Sequence, residues 1–161
     1  MGSHAAQGGR GAGPRRPVVA VGIDLVELAE IEDTLTRFGE RYLLHVFTAH
    51  ERRQFVRSEE GRRRIRQLAA CFAVKEAVKK ILVPGTDETL DWQTIEVQRH
   101  GRDGVAVELS GTAVELAARR GIVGVSGSVA CERRHALAVV AGHGAGSISL
   151  ARGTNGGAVN T

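Results

Sequence analysis

The stretch RRRIRQLAACFAVKEAVKKILVPG sets the scale of the fold. Apolar residues at Ala70, Val74, Ala77, Val78 and Ile81 recur on a helical period, and Pro84 and Gly85 stop the run. The spacing therefore predicts a helix over roughly residues 62–82, long enough at about 30 Å to span a small domain. The same helix carries the charged cluster Lys75, Glu76, Lys79 and Lys80 among small apolar residues, with Cys71 one turn before Lys75. Glu76 and Lys80 are four apart and share a face.

Other periodic runs surround this helix. PVVAVGID is apolar and valine-rich, and reads as a buried strand from Val18 to Ile23 with Asp24 at its C-terminal end. Leu28, Ile31, Leu35 and Phe38 follow at helical spacing until Gly39. In FTAHE, Thr48 and Glu51 have the spacing of a capping box, which starts a short helix. TIEVQ and VAVELS alternate across RHGRDG as a hairpin. SGTAVELAARRG is a helix closed by Gly121, and VGVSGSVA and HALAVVA are two final strands joined by CERR. The order of strand, helices, hairpin, helix and two strands predicts an α+β domain with helices packed on a largely antiparallel sheet.

At 161 residues the chain can bury one core without staples. Its two cysteines, Cys71 and Cys131, stand in no metal-ligand spacing, which excludes a disulfide framework or zinc module and points to a reducing cytoplasm. No segment has the length and apolarity of a membrane span. Residues 1–17 and 142–161 hold 11 of the 21 glycines and no acid, so both ends read as disordered tails flanking a domain over residues 18–141. Arg10, Arg15, Arg16 and Arg152 lie in those tails and account for the whole net charge of +4. The domain itself balances eighteen basic against eighteen acidic residues, which argues against nucleic acid as a partner. Within it, Arg52, Arg53, Arg57, Arg62, Arg63, Arg64 and Arg66 form a local basic patch. That patch is either a solvated face partnered by Glu59 and Glu60 or a docking surface for an acidic protein.

Two acids stand apart. Asp24 closes an apolar strand and Glu76 lies among alanines and valines; each could be a cap or surface acid. Brought together, they would suit Mg²⁺, which takes oxygen ligands and leaves positions open for substrate phosphates. Lys80 could then meet a phosphate as a point charge.

VGIDLVEL, the FT-x-x-E turn, LAACFAVKEAVKK, WQTIEV, VELSGTAVELAARRGI and ALAVV, in this order from Val19 to Val140, resemble the holo-acyl-carrier-protein synthases, which are small 4′-phosphopantetheinyl transferases. The resemblance implies transfer of 4′-phosphopantetheine from coenzyme A to a serine of an acidic acyl carrier protein in fatty acid or polyketide synthesis. It implies Mg²⁺ held by Asp24 and Glu76, a binding and catalytic role for Lys80, and a homotrimer with active sites at subunit interfaces. The arginine patch would then receive the carrier.

The chain departs from the family pattern at four positions. Cys71 stands where an arginine is usual, Cys131 at a histidine expected among the coenzyme A contacts, and Glu30 and His45 at two basic positions. Arg133 or Arg134 turned inward could compensate. The alternative reading is a homologue that binds carrier proteins, or acts on carrier-bound substrates, without transferring the arm.

Overall fold

The computed structural model describes residues 20–56, 61–86, 88–100 and 104–145. Most of both expected tails, Arg57, and the Glu59 and Glu60 partners therefore lie outside the described residues. The elements run β1 (Ala20–Glu27), α1 (Leu28–Phe38), α2 (Glu40–Val46), α3 (Ala49–Val56), α4 (Arg62–Leu82), a 3₁₀ turn (Trp92–Thr94), β2 (Ile95–His100), β3 (Gly104–Leu109), α5 (Gly111–Arg119), β4 (Ile122–Cys131) and β5 (His135–Gly144). The strands form one antiparallel sheet in the order β1-β5-β4-β3-β2, with α4 laid against it as the main covering helix. The expected α+β class is observed.

Two local expectations need correction, and one helix falls outside the elements expected. β1 does not end at Ile23: Leu25 and Val26 continue the alternation, and pairing with β5 runs from Ala20↔Gly142 through Glu27↔His135. Asp24 is therefore in mid-strand, opposite Ala138. β5 also continues to Gly144, held by Ile122↔Gly144 and Ala20↔Gly142, so ladder pairing rather than composition sets its end. Finally, α2 follows directly on α1 through Gly39, whose positive φ of 55° glycine adopts without a Cβ clash. The sequence pattern alone did not separate that helix.

The core lies between α4 and the sheet. Leu68, Ala69, Ala73, Val74, Ala77, Val78 and Leu82 are all fully buried, as are Ala136, Ala138 and Val140 on β5. Contact is closest at Gly22, where a Cβ would sit 2.1 Å from the Ala77 carbonyl oxygen. The glycine of VGID is thus a packing requirement that draws β1 onto α4 two residues before Asp24 and one residue after Glu76. A side chain there would push β1 away from α4 and with it Asp24 away from Glu76, since the two carboxylates ride on these elements.

Among the described residues, nothing covers the opposite face of the sheet along β1 and β5. Val21 (62 % exposed), Ile23 and Leu25 on β1 lie beside Leu137 and Val139 on β5, and all five side chains reach solvent. The valine-rich run expected to be a buried strand is covered on one face only within a single chain.

Candidate active site

The charged cluster of α4 divides. Lys75 is fully buried and ion-paired with the equally buried Glu51 at 2.9 Å. Its ammonium also donates to the Trp92 carbonyl at 2.8 Å and the Ile95 carbonyl at 2.5 Å. Glu51 accepts from the Thr48 and Val97 backbone N–H groups, each at 2.8 Å, and its own N–H donates to Thr48 Oγ1 at 3.2 Å, which is the expected capping box. The Thr48 hydroxyl donates to Glu96 Oε2 at 2.8 Å. A buried pair is tolerable only when its remaining lone pairs and protons are satisfied in this way. This network ties α3, α4 and β2 together, so Lys75 is a structural charge within the core and not a surface one.

The next residue turns outward. Glu76 is 24 % exposed, its Oε2 lies 3.9 Å from Lys79 Nζ, and Lys79 sits 4.7 Å from the centre of the Trp92 ring. Asp24, 16 % exposed, accepts from Lys80 Nζ at 2.7 Å, and Lys80 also donates to the Ile23 carbonyl at 2.8 Å. Burial pushes the Glu76 carboxyl above its ordinary value; Asp24 adds to the rise, while Lys79 and Lys80 oppose it. Asp24, Glu76 and Lys80, all singled out from the sequence, are thus brought into one electrostatic site by β1 and α4.

Tyr42 and Trp92 were not foreseen around this site. Tyr42 packs edge-on to Phe47 and Phe72, and Phe72 packs on Trp92, so an aromatic row borders the charged groups. Burial, with Cys71 and Glu76 adding, holds the Tyr42 hydroxyl well above the usual tyrosine range and therefore protonated. Only the WQTIEV run hinted at Trp92; Tyr42 comes from the unassigned α2.

The donor set suits a hard cation. Two carboxylates whose charges repel offer oxygen donors of the kind Mg²⁺ takes, with Lys80 bonded to one of them. Among the described residues no group of three or more His, Cys, Asp or Glu converges, so such an ion would complete its shell with water and substrate oxygen.

Cys131 is not brought to this site within the chain. It lies on β4 beside Arg66, about 15 Å back along α4 from Glu76 at 1.5 Å per residue. Arg66 donates to the Cys131 carbonyl at 2.6 Å, and Cys131 Sγ donates to the Arg66 carbonyl at 3.6 Å. With Arg63 and Arg99 they line a basic cup of about 290 Å³. Cys71 is buried in an adjoining apolar slot against Val74, Val97 and Val105. Burial first, then Glu51, raises its thiol well above the usual range, so it is a core filler and not a nucleophile. Burial likewise raises the Cys131 thiol, against the pull of Arg66 and Arg99.

The arginine patch also divides. Arg52 donates to the Phe47 carbonyl at 2.5 Å and Arg53 is exposed. Arg63 and Arg66 line the cup, whereas Arg62 and Arg64 line a separate groove with Arg133 and Arg134. Glu30 and His45 are exposed on α1 and α2. Among the described residues, no helix is long and apolar enough to cross a membrane.

Known proteins share this fold. Residues 20–140 match the family model of the 4′-phosphopantetheinyl transferase superfamily. A holo-[acyl-carrier-protein] synthase of Paramagnetospirillum magneticum is 44 % identical over 103 residues, covering 64 % of this chain and 76 % of that one. The one from Sodalis glossinidius is 34 % identical over 123 residues, covering 76 % and 95 %. Among solved structures, the Plasmodium yoelii holo-ACP-synthase superposes with a TM-score of 0.70 at 22 % identity, over 82 % of this chain and all of that one. The Helicobacter pylori enzyme in complex with coenzyme A superposes with a TM-score of 0.61 at 26 % identity, over 75 % and 97 %. The match spans both elements that carry Asp24 and Glu76, and on that ground the chain belongs to the 4′-phosphopantetheinyl transferase superfamily.

Proposed function

We infer that this protein transfers 4′-phosphopantetheine from coenzyme A to a serine of an acyl carrier protein. The observation that carries the reading is the meeting of Asp24, Glu76 and Lys80 inside a fold matched along its length by holo-[acyl-carrier-protein] synthases, one of them in complex with coenzyme A. We further propose that Asp24 and Glu76 hold Mg²⁺, which when bound would screen the pyrophosphate of coenzyme A. Lys80 would leave Asp24 to place its point charge on the same phosphates. The serine oxygen forms a bond to the β-phosphorus, and the bond from that phosphorus to the bridging oxygen breaks. Adenosine 3′,5′-bisphosphate leaves with the electron pair. The serine proton passes to water, which the partly exposed site admits beside Glu76 and Asp24.

The assembly proposed is a homotrimer acting in the cytoplasm, in fatty acid or polyketide synthesis. The bare face of Val21, Ile23, Leu25, Leu137 and Val139 supports self-association, since contiguous apolar surface of this kind marks an interface. A site shared between subunits would also bring one chain's basic cup, with Cys131, toward another chain's carboxylates. A second reading rests on Cys71 and Cys131 at the family's arginine and histidine positions: a homologue that binds carriers without transferring the arm. Incubation with coenzyme A, Mg²⁺ and apo carrier proteins separates the two. The transferase reading expects the carrier to gain the mass of one phosphopantetheine, and a folded protein that modifies no carrier would overturn it.

A further inference from the structure

Of the three lysines on α4, two have their ammoniums engaged in hydrogen bonds: Lys75 with Glu51 and two carbonyls, Lys80 with Asp24 and the Ile23 carbonyl. Lys79 differs. Its side chain is 41 % exposed, and its Nζ lies 3.9 Å from Glu76 Oε2, beyond hydrogen-bond reach. It makes no hydrogen bond among the described residues, so all three donors of its ammonium are open.

What holds Lys79 is the Trp92 ring, whose centre is 4.7 Å from Nζ. That ring is itself anchored from several directions. Phe72 packs on it at 5.8 Å, Lys75 donates to the Trp92 carbonyl at 2.8 Å, and Asp91 caps the 3₁₀ turn by accepting from the Gln93 N–H at 2.9 Å. On a helix of about 3.6 residues per turn, positions three and four beyond Glu76 fall on either side of it. Lys80 leans to β1 and Asp24, Lys79 to Trp92, and the two ammoniums flank the Glu76 carboxylate. Arg133 and Arg134, which could have made up for basic charge missing elsewhere, line the groove beside α1 instead. Lys79 is the cation with open donors that the structure brings to Glu76.

We propose that Lys79 is a second phosphate-binding residue, held ready by Trp92 to bond a pyrophosphate oxygen of coenzyme A on the side of Glu76 away from Lys80. The inference rests on the transferase reading above and adds a residue to it. A pyrophosphate spreads its charge over two phosphorus centres, and an ammonium meets such oxygens as a point charge, without the planar match that a guanidinium needs. Trp92 is the positioning residue. With the Glu76 charge engaged by the Mg²⁺ proposed above, the ring is what keeps the flexible Lys79 stem over the site.

The test is calorimetric binding of coenzyme A to the full chain with Mg²⁺ present, beside dephospho-coenzyme A, which keeps the pyrophosphate and lacks the 3′-phosphate. Lys79→Gln is expected to weaken both ligands by about tenfold or more, the range for one charge-assisted hydrogen bond. Lys79→Arg keeps the charge and is expected to restore binding to within about threefold. Trp92→Leu is expected to weaken coenzyme A by about threefold in the unaltered chain and to add no loss to Lys79→Gln, because the ring acts through the lysine. Undiminished binding by Lys79→Gln, a loss that spares dephospho-coenzyme A, or an equal Trp92→Leu loss in both backgrounds would each overturn the inference. Absence of coenzyme A binding by the unaltered chain would overturn it together with the transferase reading. The expected pattern in a chain that modifies no carrier would refute transfer and leave the role of Lys79 standing.

Discussion

Lys75 and Glu76 are neighbours on α4, yet their surroundings could hardly differ more. Lys75 has its charge fully answered by Glu51 and two carbonyls, with no solvent contact. Glu76 keeps partial exposure, a distant ammonium at 3.9 Å and a second carboxylate whose charge it feels. The difference shows how one helix can serve two ends. A saturated charge fixes its rotation about its axis and leaves the next side chain held out with bonds still to make. Positioning belongs to the first residue, and the chemistry proposed for this site to the second.

That division is broken most forcefully by Lys75→Met. Removing one partner strands the Glu51 carboxylate in the core, with an expected cost of about 3–5 kcal/mol in urea unfolding. The double variant Lys75→Met with Glu51→Leu is expected to recover much of the loss, since replacing both charges leaves neither unpaired. Glu76→Gln is expected to do the reverse: transfer falls by about 10²–10³-fold while the unfolding midpoint holds or rises slightly. A Glu76→Gln protein that unfolds early would place this residue in the framework as well. Lys80→Gln is expected to lower transfer by about 10- to 100-fold, the range for one charge-assisted hydrogen bond to substrate.

The smallest effect is in pH. Because Glu76 binds its proton more tightly folded than unfolded, the folded state holds more protons across the interval between the two values. Stability without divalent metal therefore falls as pH rises from about 4.5 through the raised folded value, and the slope disappears in Glu76→Gln. Mg²⁺ needs the ionised form, so its apparent affinity is expected to climb over the same interval.

Periodicity was enough to read α4, the hairpin, α5 and the two closing strands, because each has a repeated apolar face and a clear stop. It failed where tertiary pairing set the outcome. β1 passes through Asp24 to Glu27 because β5 offers partners that far, and no local signal in VGID marks it. At the site, the types and spacing of Asp24, Glu76 and Lys80 were legible, and the structure places them together. The fate of Lys75 was not legible, since its partner Glu51 is 24 positions away and its spacing from Thr48 marks it only as a helix cap. The arginine run gave composition without direction: its members on α4 line two adjoining hollows, a cup and a groove, that other elements complete.

The most direct test of the account is a calorimetric titration of Mg²⁺ into protein saturated with coenzyme A, comparing the unaltered chain with Asp24→Asn and Glu76→Gln combined. The account predicts saturable binding in the first that is lost in the second, while both unfold at similar urea concentrations. Undiminished Mg²⁺ binding by the double variant would contradict it.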